Sequence, residues 1–208
     1  MSHYKRNQVE EAISRTIGEK SAKPSSGLRT RLKRLLDLDR SLKGARSEGS
    51  GGANYAFYSS DAPGKGGEVL FSNYDAFALL TGLRMLNHGW PQNFVVTTLR
   101  SIRTELKARH SSALKMRSNM STSEPRAGDL AGANPASPFL LIVSDDRTAS
   151  PPNDQGPYAM IFANQEDAFR FQMRAVGRSC SWFELEAAAK ALKANLARAL
   201  PRSRGRSA

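Results

Sequence analysis

This sequence has one cysteine, Cys180, and three histidines in 208 residues. A single thiol excludes an intramolecular disulfide framework and a cysteine-based zinc cluster. His3, His88 and His110 do not stand at metal-ligand spacing, and no HExxH pattern accompanies them, so no metal or other cofactor is expected. No apolar run approaches the roughly 18 residues of a membrane span, so no membrane role is expected. The opening MSHYKRNQVEEAI carries charge but no apolar core behind it. It does not read as a signal peptide, and the expected location is cytoplasmic and nucleoid-associated. Acidic residues are also scarce: 19 Asp and Glu against 31 Lys and Arg leave a net charge of +12. A field of that sign and size favours polyanionic partners.

The charge is unevenly placed. Residues 1–48 balance at +6, residues 49–88 at −1, residues 89–120 at +5, residues 121–170 at −4 and residues 171–208 at +6. A coat that served only solubility would be spread more evenly. The pattern reads as a basic N-terminal unit, an acidic middle and a basic tail.

Helical spacing appears first in Asn7–Ile17, where Val9, Ile13 and Ile17 recur every four residues. PSSGLRTRLKRLL follows, with a helix expected from about Ser26 to Leu42. Leu28, Leu32, Leu35 and Leu36 form its apolar stripe, while Arg29, Arg31, Lys33 and Arg34 occupy much of the rest. NYAFYSS and EVLFS, joined by the glycine-rich DAPGKGG, read as a β-hairpin with Lys65 near its tip. SNYDAFALLTGLRMLNHGWP places Ser72 and Asp75 at S-x-x-D spacing before an apolar helix that ends near His88. PQNFVVTTLRSIRTELKARH then predicts one helix with Pro91 in its first turn and Arg100 and Arg103 mostly away from the packed face. Residues 111–137 lose periodicity. Beyond them, 138–146 and PYAMIF read as strands, NQEDAFRFQMRAVG as a helix, and SCSWFELEAAAKALKANLARAL as a long closing helix.

The expected fold class is therefore mainly α with a β-hairpin wing in the N-terminal domain, plus a small α+β C-terminal module. The domains predicted are a winged helix-turn-helix-like DNA-binding domain at 1–118, a linker at 119–137, a dimerisation or interaction module at 138–200 and a basic tail at 201–208. A seventy-residue module gains from burying a stripe against a second copy. Phe183, Leu192, Leu196 and Leu200 supply that stripe and are the expected homodimer contacts.

NQVEEAI, LRTRLKRLL, NYAFYSS and SNYDAFALLTGLRMLNHGWP occur in that order. This arrangement resembles the winged-helix DNA-binding domain of the MerR family of transcription regulators over roughly residues 4–110. The resemblance implies groove contacts from Arg29 and Arg31 and backbone contacts from the hairpin. On their own chemistry, Thr30 can donate to bases or phosphates, and Lys33, Arg34 and Lys65 suit phosphates. Arg100 and Arg103 extend the same cationic set. The expected activity is non-enzymatic duplex DNA binding in transcription regulation. The alternatives are an RNA-binding or ribonucleoprotein factor, or a structural interaction protein that meets acidic protein partners.

Other signals point to structure. GKGG at 64–67 lacks the spacing of a phosphate loop. Tyr55, Phe57 and Tyr58 can stack on unpaired bases, but alternating aromatics more often serve as core. Cys180 has no identifiable base beside it and reads as a structural thiol. Asp145 and Asp146 end a strand without the partner cluster that a magnesium site needs.

Overall fold

A computed structural model describes residues 3–19, 23–42, 54–59, 69–115, 137–145, 156–174 and 178–201. The chain divides into two compact units, Met1–Arg103 with Ala191–Ala208, and Thr104–Lys190. Among the described residues the protein is mostly helical, with two small antiparallel sheets.

The first unit begins with β1 (Tyr4–Lys5) and α1 (Arg6–Thr16). Gln8 Oε1 accepts the Lys5 amide at 3.0 Å, which satisfies a donor at the start of α1. Val9, Ala12 and Ile13 bury the inner face of α1, and Gly18, at φ +81°, turns the chain after it. α2 (Ser26–Ser41) starts where Ser25 Oγ accepts the Leu28 amide at 3.2 Å. Its four stripe leucines, Leu28, Leu32, Leu35 and Leu36, are buried, each worth about 1.5–3 kcal/mol relative to exposure.

β2 (Leu70–Phe71) pairs antiparallel with β1, Tyr4 opposite Phe71 and Lys5 opposite Leu70. The expected wing differs here. Residues 54–59 form no strand, and Leu70–Phe71 takes the start of the chain as its partner. The reason lies in the backbone: the Ala56 and Phe57 amides both donate to the Asp39 carboxylate, so they are taken before a strand ladder can use them. The tip, with Lys65, lies outside the described residues.

α3 (Asn73–Asn87) starts as its sequence predicts. Ser72 Oγ accepts the Asp75 amide at 3.2 Å, and Asp75 Oδ2 accepts the Ser72 amide at 2.9 Å. Every residue from Tyr74 to Leu83 is buried, so α3 is the central helix of this unit. Gly89, at φ +89°, turns the chain into α4 (Gln92–Ser101). The single helix predicted from Pro91 to His110 is two: it breaks at Ile102, and α5 (Arg103–Lys115) follows. Thr97 and Ser101 hydroxyls bond back to the carbonyls of Asn93 and Thr98, a competition with the helix ladder that favours a break.

The second unit contains a sheet of order β4-β3-β5, all neighbours antiparallel: β3 (Phe139–Asp145), β4 (Tyr158–Phe162) and β5 (Arg178–Glu184). Leu141 stands opposite Met160 on one side and Trp182 on the other. Phe139, Leu141 and Val143 share a face with Trp182 and Cys180, covered by Ala168 and Phe171 of α6 (Gln165–Arg174). Leu140 and Ile142 point to the other face and are equally buried, which explains the unbroken FLLIV run.

The expected closing helix is shorter than its sequence suggested. SCSWFE is strand, and α7 spans Glu186–Arg198. Cys180 and Trp182 alternate with Ser179, Ser181 and Phe183, a period of two that the downstream alanine-rich pattern obscured. Glu184 marks the change: its carboxylate accepts the Ala187 amide at 2.8 Å and so opens the helix.

Candidate nucleic-acid interface

The outward side of α2 carries Arg29, Thr30, Lys33 and Arg34, all exposed. Arg29 and Lys33 are one turn apart, as are Thr30 and Arg34, so the four make a contiguous surface. They stand on a helix whose opposite side is locked by the buried leucines. Arg31 is half-buried instead. Its Nη1 donates to Asn87 Oδ1 at 2.5 Å, which ties the helix to the last residue of α3. Arg29 also lines a small cleft with Lys23, Glu10 and Glu11. Both carboxylates there are paired within α1, Glu10 with Arg6 at 2.7 Å and Glu11 with Arg15 at 2.6 Å.

Glu19 aims the start of α2. It accepts Ser14 Oγ at 2.6 Å, and from Ser25 the amide at 3.2 Å and Oγ at 2.7 Å. The Ser14 hydrogen bond, followed by those from Ser25 and the nearby Arg31 charge, holds its carboxyl below the usual range.

Neither a protein-family model nor a curated protein matches this chain.

Arg100 and Arg103 do not join this surface, a correction to their expected role. The Arg100 side chain is only 7% exposed and pairs with fully buried Asp39, Nε to Oδ1 at 2.8 Å. A second guanidinium nitrogen donates to the Asp39 carbonyl. Arg103 lies over the Tyr74 ring at 5.5 Å and 3.8 Å from Asp75. Burial of Tyr74 pushes its phenol up to about 12, against the opposing charge of Arg103. Arg100 is spent inside the unit, and Arg103, its side chain 17% exposed, is turned inward toward Tyr74 and Asp75. Arg100 falls four residues after Val96 and so shares its buried face.

The aromatic segment is held by the same ion pair. Asp39 Oδ1 accepts the Ala56 amide and Oδ2 the Phe57 amide, each at 3.0 Å. Tyr55, Phe57 and Tyr58 are 4%, 0% and 3% exposed, so they are core and present no ring face for base stacking. Arg40 covers the Tyr58 ring at 4.8 Å. Sequence reasoning missed Asp39, although a signal was present: Leu32, Leu35, Leu36 and Asp39 continue one i, i+3, i+4, i+7 stripe, with an acid at an apolar position.

The expected dimer contacts are also corrected. Phe183, Leu192 and Leu196 are at most 1% exposed within the single chain, and of that set only Leu200 is open, at 76%. In the first unit, α7 approaches α1 through Asn195 Nδ2 to Thr16 Oγ1 at 3.0 Å, and Gln8 Nε2 donates to the Ala199 carbonyl at 2.8 Å.

Proposed function

We propose that this protein binds duplex DNA through the outward face of α2 and acts, without a chemical step, as a transcription regulator. One observation carries the reading: Arg29, Thr30, Lys33 and Arg34 form an exposed donor surface on a helix anchored by four buried leucines. A helix fits the major groove. Cations on its open side meet phosphates, and an arginine near its start can reach a guanine edge. Burial of Tyr55, Phe57 and Tyr58 removes the main support for single-stranded RNA as the partner.

The test is fluorescence anisotropy of the full chain with a labelled random duplex across a salt series, competed with single-stranded RNA and with an acidic protein. Log affinity should fall with log salt by about 0.9 for each phosphate neutralised. Lys33→Ala and Arg34→Ala should each lower that slope by about 1 for all sequences. After site selection, Arg29→Ala should cost roughly 1–3 kcal/mol of discrimination at one base position. Absence of binding at low salt, or binding indifferent to the Arg29, Lys33 and Arg34 substitutions together, would refute the reading.

A further inference from the structure

Helix α6 turns two large apolar side chains to solvent. Phe169 is 56% exposed and Met173 66%, while Ala168 on the same helix is fully buried. Glu166, Phe169, Arg170 and Met173 fall at i, i+3, i+4 and i+7, a single stripe along the outward side. Among the described residues the other exposed large hydrophobics are Leu70 and Leu200, neither of which has such a neighbour on its own element. A paired patch on a helix calls for a partner in a way that a scattered leucine does not.

The charges around the pair indicate that partner. Glu166 and Asp167 lie in the first turn of α6, and Arg174 lies in the last. A helix acidic at its start and basic at its end, with Phe169 and Met173 between and Arg170 paired back to Glu166, is its own complement when a second copy lies antiparallel. Each carboxylate end then meets the other copy's guanidinium end, and the two macrodipoles oppose. A uniformly acidic or basic partner would match one end and repel the other.

We propose that α6 is a homodimer interface in which two copies pack antiparallel, Phe169 and Met173 of each filling the seam. Glu166 and Arg170 already pair within the helix at 2.5 Å, with 71% and 65% of their side chains exposed, so they sit on the rim. One helix against one helix buries less than the roughly 1,200–2,000 Å² of a standard interface, so the dimer is weak and concentration-dependent.

Sedimentation velocity on the full chain, over a concentration series reaching tens of micromolar, tests this without nucleic acid. The wild type should shift from monomer toward dimer. Phe169→Glu, or Met173→Glu, should leave circular dichroism unchanged, because both positions are open, and weaken association at least tenfold. Arg174→Glu and Glu166→Lys should each weaken it, and the two combined should restore it. A wild type that stays monomeric, or a Phe169→Glu chain that dimerises like the wild type, overturns the interface. A combined charge swap that fails to restore pairing overturns the antiparallel arrangement.

Discussion

Replacing Asp39 by alanine should nearly unfold the first unit. The carboxylate is fully buried and holds three donors: the Ala56 amide, the Phe57 amide and Arg100 Nε. Its removal strands a buried guanidinium, at about 3–5 kcal/mol, and two buried amides, at about 1–3 kcal/mol each. These terms share one site and do not add fully. A loss of about 5 kcal/mol or more is expected, comparable with the whole stability of many domains. Arg100→Met is milder, about 3 kcal/mol, because Asp39 keeps its two amide donors. Urea denaturation reads the difference. A Trp182→Phe background leaves Trp90 as the sole indole, and Trp90 stacks on Phe94 at 5.0 Å within this unit. A loss below about 1 kcal/mol for Asp39→Ala would refute the reasoning. So would an Arg100→Met loss larger than that of Asp39→Ala, because the amides would then contribute nothing.

Three further outcomes can be checked in the same background. Gly82→Ala should destabilise by about 1 kcal/mol despite the better helix propensity of alanine, because the new methyl would stand 3.2 Å from Leu99 Cδ1 and the Phe57 ring; thermal melts decide it. Leu192→Glu with Leu196→Glu should collapse the helical signal in circular dichroism rather than yield a folded monomer, since both leucines are 1% exposed. Burial raises the Tyr58 and Tyr74 phenols above their ordinary value of about 10, Tyr74 to about 12, so their contribution is intact below pH about 10 and is lost as pH rises through those raised values; phenolate absorbance should therefore grow in step with loss of helix.

What could be read from the sequence depended on how local the signal was. α2 and α3 were legible because Ser25, Ser72 and Asp75 cap them and their leucines recur at helical spacing. The cationic face of α2 followed from the same spacing. The role of Arg100 did not, because its partner lies 61 residues earlier and charge alone cannot tell a surface arginine from a paired one. β5 was hidden for a similar reason. SCSWFE is strand through its register with β3, about forty residues upstream, while the adjacent alanines speak only for a helix. The wing failed on pairing choice: Leu70–Phe71 has β character, but its partner is Tyr4–Lys5, and no local rule selects between two candidate partners.

The two hydrogen bonds that bring Asn195 and Ala199 to α1 bear on how the protein is made. Chains emerge from the ribosome N-terminus first, and domains usually close in that order. Here the first unit needs residues from both sides of the second, Met1–Arg103 and Ala191–Ala208. Its helices can gather early, yet the strip of α1 beside Gln8 and Thr16 waits until Asn195 and Ala199 have been synthesised. A truncation before Ala191 would remove both partners and leave the Gln8 and Thr16 edge of α1 without them, even with every residue of α2 in place.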